Sequence, residues 1–427
     1  MKQTEIGLIP DDWEEKCFND IAIRITDGSH FSPKEVDVGY YMPSVKDMRN
    51  TGFDYSDCKK ISKQDYISLV RMGCKPDIND VLIAKDGSIL KYAFTQKSNE
   101  DIVILSSIAI IKPNLQKICP DYLVHYVTNN RFIDYAIGNF KTGTGVPRIV
   151  LKGFAKLKIQ YPPTLAEQQR IAKALSDVDA LISTTEKFIQ KKKDIKQGIM
   201  QNLLTGKKRL PGFGPQTKSP TYKQTELGPI PEDWEVKVFG DYASIVRGGS
   251  PRPIQNFLTT NSDGINWIKI GDVKPEDKYI VSTEEKIIPE GKSRSREVHK
   301  GDFILSNSMS FGRPYILQID GCIHDGWLAI QNYQETFDSD FLYYLLGSDE
   351  IFQQYIEMAA GSSVQNLNKE KVAKLLVPIF DKKEQTAIAT VLSSMDKEIE
   401  TLNTKLEKYH NLKTAMMQQL LTGKIRL

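Results

Sequence analysis

Small, hydroxyl-bearing and basic residues cluster in short loops at corresponding places in the two halves of the chain. One loop near the start contains Thr26, Gly28, Ser29 and His30, and its counterpart contains Arg247, Gly249, Ser250 and Arg252. Glycine lets a backbone approach a phosphate closely, and arginine can form two parallel hydrogen bonds to a guanine or a phosphate. This chemistry suits contacts with nucleic acid, and a plain surface turn explains each single residue equally well.

Further loops offer the same kinds of side chain. Lys91 and Arg313 each stand three residues after a serine, Ser88 and Ser310, and a basic position matched in otherwise different loops predicts phosphate contacts. The loops at 141–148 and 359–366 and the basic run at 292–300 add eight candidates: Thr142, Thr144, Arg148, Ser362, Ser363, Gln365, Arg294 and Arg296. Solvated side chains are the alternative interpretation of all of them.

Recognisable catalytic motifs are absent from the sequence. It contains neither a G-x-x-x-x-G-K-[ST] phosphate loop nor an N/D-P-P-Y/F methyltransferase motif, and its five cysteines form no C-x-x-C pair. The five histidines lack metal-ligand spacing, so no metal is expected. Asp277, Glu284 and Lys286 loosely fit an acidic nuclease site, but the other half has no counterpart. The sequence therefore favours a chain that binds no cofactor and performs no catalysis.

Length and composition set the broad class of protein. The chain has 427 residues, which predicts two to three domains, and its net charge of +3 excludes a uniformly basic coat. No apolar run is long enough to cross a bilayer, and the first residues lack the apolar core of a signal peptide. We expect a cytoplasmic protein without membrane association.

An internal repeat organises the whole sequence. TEIGLIPDDWEEKCFND at 4–20 returns as TELGPIPEDWEVKVFGD at 225–241, and KQGIMQNLLTGKKRL at 196–210 returns as KTAMMQQLLTGKIRL at 413–427. A period of roughly 220 residues is far too long for a solenoid and indicates a duplicated pair of domains. Between the repeated segments, apolar positions correspond while polar residues differ.

The repeated segments that end each half predict long helices. Apolar residues alternate in steps of four and three along both, and each segment ends in L-L-T-G, where Gly206 and Gly423 are placed as C-caps. One such helix exposes an apolar stripe that it cannot bury alone. We therefore expect the two helices to pair with each other; the alternative is that each packs on its own domain.

The variable segments predict an α+β fold. Strands are expected at 80–85, 101–111, 265–270, 302–307 and 327–333, and helices at 121–138 and 340–359. The chain divides into four parts: a variable domain at 1–160, a helical segment at 161–210, a second variable domain at 211–377 and a second helical segment at 378–427.

The sequence resembles the specificity (S) subunits of type I restriction–modification enzymes over essentially its whole length. The resemblance depends on G-x-I-P-x-D-W at 7–13 and 228–234, P-P-T-L-A-E-Q-Q-R-I-A at 162–172, F-D-K-K-E-Q-T-A-I-A at 380–389 and the L-L-T-G-K helix ends. Ile379 replaces the second proline in the second half. Together these motifs are specific.

The resemblance implies two tandem target recognition domains of mixed strands and helices, separated by two conserved helices that form an antiparallel intramolecular coiled coil with pseudo-two-fold symmetry. Each domain would read one half of an asymmetric, bipartite sequence in double-stranded DNA. Two methyltransferase (M) subunits would dock, and two restriction (R) subunits can join them. S-adenosylmethionine, ATP and Mg would then belong to these partners.

Three other functions are compatible with the same residues. A stand-alone DNA-binding regulator would bind a specific sequence without partners. An enzyme would carry a nuclease or methyltransferase site that the motifs do not reveal. An assembly scaffold would bind DNA without sequence preference even when its partners are present.

Overall fold

The computed structural model describes residues 1–143, 145–214, 221–307, 312–359 and 367–427. The chain forms two compact units: unit 1 comprises 1–187 together with 404–427, and unit 2 comprises 188–403. Unit 1 is therefore built from two separate stretches of sequence, whereas unit 2 is one continuous stretch.

Unit 1 contains twelve short strands and five helices in its described residues before the first long helix. The strands are β1 (Lys2–Gln3), β2 (Leu8–Ile9), β3 (Glu14–Cys17), β4 (Ala22–Asp27), β5 (Tyr40–Tyr41), β6 (Met48–Arg49), β7 (Gly52–Phe53), β8 (Lys60–Ile61), β9 (Val81–Ala84), β10 (Ala93–Thr95), β11 (Ile108–Pro113) and β12 (Lys158–Tyr161). The helices are α1 (Phe18–Ile21), α2 (Lys63–Arg71), α3 (Pro120–Val127), α4 (Asn130–Phe140) and α5 (Leu151–Lys156). The long helix α6 (Leu165–Leu204) begins in unit 1 and continues into unit 2.

Unit 2 repeats this order with additional strands. Its strands are β13 (Tyr222–Thr225), β14 (Gly228–Pro231), β15 (Glu235–Val238), β16 (Ser244–Arg247), β17 (Leu258–Thr259), β18 (Ile265–Ile268), β19 (Tyr279–Ile280), β20 (Glu285–Ile287), β21 (Arg296–Val298), β22 (Phe303–Ser306), β23 (Pro314–Leu317), β24 (Gly321–Ile323), β25 (Trp327–Gln331) and β26 (Leu376–Ile379). Its helices are α7 (Pro289–Lys292), α8 (Ser339–Leu346), α9 (Asp349–Ala359) and α10 (Lys369–Ala373), followed by the second long helix α11 (Lys382–Leu420).

A central sheet that is buried on both faces forms the middle of each unit. Its order is β10-β9-β11-β4 in unit 1 and β16-β25-β22-β23-β19 in unit 2. Successive residues of β9 face opposite cores: Val81 and Ile83 pack in one apolar cluster, whereas Leu82 and Ala84 pack in another. Strand β22 alternates in the same way. Burial on both faces explains why these strands are continuous apolar runs.

The two units differ most in the layer beside this sheet. Unit 2 carries a second five-stranded sheet in the order β17-β20-β18-β24-β21. Unit 1 carries two small antiparallel pairs instead, β5 with β8 and β6 with β7. The predicted α+β class is confirmed, and the extra sheet is specific to the second copy.

Three of the predicted elements need correction. The strand expected at 101–111 begins only at Ile108 and continues to Pro113. The expected helix at 121–138 is two helices, because the Asn129 side chain accepts a hydrogen bond from the backbone N–H of Phe132 and caps a new helix. The expected helix at 340–359 is likewise interrupted, at 347–348.

The two long helices are confirmed, and they run antiparallel inside each unit. In unit 1 Lys413 of α11 binds Asp179 of α6 at 2.6 Å, and in unit 2 Lys192 of α6 binds Glu398 of α11 at 2.7 Å. The predicted glycines, Gly206 and Gly423, lie just after the helix ends and have left-handed φ angles of +68° and +66°. The first part of each helix also packs on the domain that precedes it, through Ile171 and Leu175 of α6 in unit 1 and Ile388 and Leu392 of α11 in unit 2, so both expected modes of packing occur together.

None of the helices within the described ranges is both long enough and apolar enough to cross a membrane.

Candidate nucleic-acid interface

The loops that carry most of the candidate residues leave the central sheet at the same end in each unit. In unit 1 this loop end comprises 27–32, 85–92, 104–107, 141–143 and 145–149. Backbone hydrogen bonds join the loops: Ile149 N–H donates to Lys85 at 3.0 Å, and Gly87 N–H donates to Pro147 at 2.8 Å. The antiparallel register of β4, β11 and β9 produces this arrangement, because Asp27, Ile108 and Ala84 all lie at one edge.

Two matched glycines allow the loops to pack on each other. A Cβ on Gly28 would lie 2.1 Å from the carbonyl oxygen of Ile104, and one on Gly248 would lie 2.0 Å from that of His324. Ser29 is 2% exposed and its hydroxyl bonds the backbone of Phe31. This packing gives Gly28 and Ser29 a structural role, and their contact with DNA stays a prediction. Gly249 is more open, since a Cβ there would lie 3.4 Å from its nearest neighbour, the carbonyl oxygen of Arg294.

A charged cluster lies just beneath the surface of the unit 1 loop end. Lys85 is 5% exposed, and its amine is 3.4 Å from Asp27 Oδ2 and 3.1 Å from Asp86 Oδ1. The His30 ring lies 3.3 Å from the other oxygen of Asp27 and is 77% exposed. Paired acids keep the buried ammonium compensated, since an unpaired charge there would be costly. His30 is the member of this cluster that faces solvent.

The remaining candidates of unit 1 lie on its outer rim and on β4. The backbones of Thr142 and Arg148 bond each other at 2.8 and 3.0 Å, which closes a tight loop whose Gly143 has a φ of +92°. Both Thr142 and Arg148 are exposed. Thr26 is half-buried at the end of β4. Thr144 lies outside the described residues.

Asp325 is central to the loop end of unit 2, which comprises 247–253, 307, 312–313, 323–326 and the adjoining segment 292–297. Its carboxylate accepts hydrogen bonds from Ser250 Oγ at 2.8 Å and Arg252 Nη2 at 3.3 Å. Its carbonyl oxygen accepts from Asn307 Nδ2 at 2.9 Å and Arg247 Nε at 3.4 Å. The hydrogen bond from Ser250 is the main reason why the pKa of Asp325 is lowered.

Two more arginines join this loop end, Arg296 from β21 of the second sheet and Arg294 from the turn before it. Arg296 Nε donates to the carbonyl oxygen of Arg247 at 3.3 Å, and the Arg294 guanidinium lies 5.3 Å from the centre of the Phe257 ring. Both are exposed, as is Arg247. Unit 2 thus brings together the candidates Arg247, Gly249, Ser250, Arg252, Arg294 and Arg296. Ser310, Ser362, Ser363 and Gln365 lie outside the described residues.

The predicted match between Lys91 and Arg313 is wrong by one residue. Ala93 opposes Ile83 and Pro314 opposes Leu305, so Arg313 takes the register position of Tyr92 rather than that of Lys91. Lys91 lies 5.3 Å above the Tyr92 ring. Arg313 donates to the carbonyl oxygen of Pro275. Lys91 and Arg313 are therefore not at equivalent positions, and the structure gives no reason to expect the same phosphate contact from both.

Two of the three side chains in the loosely nuclease-like pattern have another partner. Asp277 accepts a hydrogen bond from the Lys274 backbone at 2.7 Å, and Lys286 donates to the carbonyl oxygen of Ser262 at 2.8 Å. Glu284 contacts Asp272 through its backbone N–H, at 3.2 Å. Across the described part of the chain, no group of three or more His, Cys, Asp or Glu residues could hold a metal ion.

Sequence reasoning missed the polar residues that connect the loops. Lys85 and Asn307 directly follow the buried strands β9 and β22 at equivalent positions. For Lys85, a polar residue immediately after an entirely apolar strand is a signal that could have identified it; for Asn307 the signal is weaker, because β22 itself ends in Ser306. Asp325 has no such signal, because its importance depends on loops that meet only in the folded unit.

The contacts between the helices and the rest of each unit are matched in detail. Gln168 accepts from the Cys119 backbone at 2.8 Å, and Gln385 accepts from the Asp338 backbone at 3.0 Å. Arg426 joins Glu167 to Asp12 in unit 1, just as Arg209 joins Glu384 to Asp233 in unit 2. The copies therefore agree where the helices meet the rest of each unit and differ at the loop end.

Duplicated α+β units with unlike loop ends and like helix contacts define a two-module recognition protein. The family model for the type I restriction modification DNA specificity domain matches the chain twice, at residues 10–197 and 231–409. The chain belongs to this family, as a specificity subunit.

Two relatives are similar to this chain over most or all of its length. A putative type I restriction enzyme MjaX specificity subunit from Methanocaldococcus jannaschii is 29% identical over 442 aligned residues, covering 100% of this chain and 96% of that protein. The MjaVIII specificity subunit of the same organism is 29% identical over 364 residues, with 82% and 80% covered.

Two solved structures show the same fold at low sequence identity. The S subunit of a type I system from M. genitalium has a TM-score of 0.56 at 13% identity, with 98% of each chain covered. A chain from a structure described as the basis of complex assembly and conformational transition of the type I R-M system has a TM-score of 0.58 at 14% identity, with 98% and 99% covered.

Proposed function

We propose that each unit reads one half of a bipartite, asymmetric DNA sequence through its loop end. One observation carries the proposal: the two copies have the same helix contacts but different side chains in their loops. The register position of Asp27 holds Arg247 in unit 2, and that of Lys85 holds Asn307. The side chains of Asp27, Lys85 and Asn307 lie beneath the surface. They support different exposed groups, His30 beside Asp27 in unit 1 and Arg252 beside Asp325 in unit 2, and these exposed groups would select different bases.

The chain would act as the recognition part of a larger enzyme. Its relatives are named as specificity subunits of type I restriction enzymes, and one solved neighbour is described in terms of complex assembly. We propose that two M subunits dock on this chain, and two R subunits in systems that have them, in the cytoplasm. S-adenosylmethionine, ATP and Mg would bind those partners, and this chain would perform no chemical step.

Methylation mapping of a host that expresses the chain with its M subunit tests this function. The expected result is methylated adenines within one asymmetric motif of two separated half-sites. The chain without M should methylate nothing when given S-adenosylmethionine. A methylated motif without a gap would contradict the bipartite target. Tight specific DNA binding by the chain alone, with no methylation when M is present, would instead support a stand-alone regulator.

A second test concerns the distance between the half-sites. We expect that inserting four residues into α6 near Thr185, about one helical turn, lengthens the unspecified gap in the motif while both half-sites stay the same. A matched insertion of four residues into the exposed segment around Val38, which is 90% exposed, is the control and should leave the gap unchanged. An unaltered gap in the helix variant would contradict the proposal.

A further inference from the structure

Arginine is concentrated at the loop end of unit 2. Arg247, Arg252, Arg294 and Arg296 all have exposed side chains there, and Asp325 accepts from two of them. The described loop end of unit 1 has a single arginine, Arg148, together with exposed apolar side chains such as Phe31 and Val146 at 65% and 64%. The two loop ends therefore present different hydrogen-bonding groups to solvent.

Asp325 is held by several contacts from other loops. Its backbone N–H donates to Ser250 Oγ at 3.4 Å, and its carboxylate accepts from the same hydroxyl at 2.8 Å. Its carbonyl oxygen accepts from Asn307 and Arg247. A carboxylate held at these points has a defined position from which to orient a neighbouring side chain.

Arg252 is the side chain that this carboxylate orients. Its side chain is 81% exposed, yet Nη2 lies 3.3 Å from Asp325 Oδ2. An ion pair this exposed adds little to folding stability. Its effect is on the arginine itself, because a long side chain that is held in place before binding loses less conformational freedom when it forms two hydrogen bonds.

We propose that Asp325 positions Arg252 to read a guanine in the half-site bound by unit 2. Guanine presents the acceptors O6 and N7 on one edge in the major groove, which matches the two parallel donors of a guanidinium. This inference rests on the proposed function. Asp325 is a positioning residue in it, and Arg252 makes the base contact.

Unit 1 offers an internal comparison for this pair. Counting from the matched residues Gly28 and Gly248, the position of Arg252 is Ser32; counting from Ile108 and Trp327, the position of Asp325 is Ser106. Neither serine can supply an ion pair or a guanidinium. Changes to the Asp325–Arg252 pair should therefore affect one half-site only.

The experiment maps methylation by the full complex of this chain with its M subunit. The variants are Arg252→Lys, which keeps the charge but loses the two parallel donors, Asp325→Asn, and Asp325→Glu, which restores the carboxylate. The control is Asp320→Asn, an exposed acid of the same unit that accepts a hydrogen bond from the Lys300 backbone.

The wild-type motif should contain guanine in the half-site that these variants alter. Arg252→Lys and Asp325→Asn should lower methylation of the wild-type motif roughly tenfold and admit other bases at that one position. The second half-site should stay strict, Asp325→Glu should recover part of the preference, and Asp320→Asn should behave as wild type.

Three outcomes would overturn the inference while leaving the bipartite function standing. They are a half-site without guanine, an unchanged base preference in both Arg252→Lys and Asp325→Asn, and an equal loss at both half-sites, which would indicate a general loss of structure. A motif that is not bipartite would instead contradict the proposed function itself.

Discussion

His125 and Tyr344 occupy the same position in α3 and α8 and face the same residues of the long helices. The His125 ring lies 2.9 Å from Ser176 Oγ and 3.8 Å from Asp179, which also binds Lys413. Tyr344 lies 3.1 Å from Ser393 and 2.6 Å from Asp396, which also binds Lys196. The duplicated network thus differs in a single titratable side chain.

We expect unit 1 to lose stability in mild acid because of His125. Burial lowers the pKa of His125 from 6.5 to about 4, against the opposing effect of Asp179. A histidine with a lower pKa in the folded state takes up its proton more readily on unfolding. The free energy of unfolding of unit 1 therefore has its full value above pH 6.5. It falls as the pH drops towards 4, and the loss is about 2 kcal/mol at pH 5.

The variant His125→Tyr should flatten this dependence, because it installs the side chain that unit 2 already uses. Hydrogen exchange of unit 1 between pH 7.5 and pH 5 measures the effect. His410→Gln, which changes an exposed histidine of α11 in the same unit, is the control and should keep the wild-type slope. Equal slopes in wild type and His125→Tyr would rule the explanation out.

Arg209 and Arg426, which follow the ends of the two long helices, should contribute unequally to the free energy of unfolding of their units. Arg209 and its partner Glu384 have side chains only 12% and 2% exposed, whereas Arg426 is 43% exposed and Glu167 6%. Removing a partner from a buried ion pair leaves an uncompensated charge, so Arg209→Ala should destabilise unit 2 by about 3 kcal/mol. Arg426→Ala should cost unit 1 less, since water reaches that site. Denaturant unfolding of the two variants tests the order, which an equal or reversed loss would refute.

At the scale of elements, the helix ends depend on glycine for two reasons at once. Gly206 has a left-handed φ of +68°, and a Cβ there would lie 2.5 Å from Pro231 Cδ. Gly423 has the same conformation, and a Cβ would lie 2.4 Å from Pro10 Cγ. The L-L-T-G motif and the G-x-I-P-x-D-W motif recur together because each glycine lets its helix end approach that proline.

Gly206→Ala should destabilise unit 2 by about 2 kcal/mol, from the left-handed backbone alone, with a further loss from the contact with Pro231. Gly198→Ala is the matched control, because Gly198 lies inside α6 with open space around it. That change should stabilise the helix by about 0.5–1 kcal/mol. Thermal unfolding compares the two variants, and the same sign in both would contradict this account of the helix end.

The sequence predicted the long helices and the central-sheet strands β9, β11, β22 and β25, because heptad spacing and unbroken apolar runs are local patterns; it did not predict the other five strands of the two central sheets. It did not predict that the helices at 121–138 and 340–359 break, since Asn129 and 347–348 act through capping and turns inside an apolar pattern. Candidate loops were found from their composition. Asp325 and Lys85 were missed, because their roles arise only where separate loops meet.

At the scale of the whole molecule, unit 1 depends on residues distant in sequence. Leu420 and Leu421 are buried in the same cluster as Trp13, Ile171 and Leu175. The corresponding residues Leu203 and Leu204 complete the core of unit 2 from within its own continuous stretch.

Ending the chain after Asn403 should therefore unfold unit 1 selectively. The change exposes the apolar surface that Leu420 and Leu421 cover, at about 25 cal/mol per Å², and it removes Arg426 from the buried Glu167. Hydrogen exchange should show lost protection across 1–187 and retained protection in the central sheet of unit 2. Ending the chain after Leu421 is the control and should keep much of the protection in unit 1. Uniform loss in both units after the longer deletion would contradict the division.

The same division has a consequence for synthesis on the ribosome. Unit 1 emerges first, but it cannot complete its core until about 200 further residues have been translated. Its apolar helix face therefore stays exposed to solvent while unit 2 is synthesised and folds. A nascent chain with such a delay exposes surface on which chaperones act and through which chains aggregate. The order of completion is thus the reverse of the order of translation.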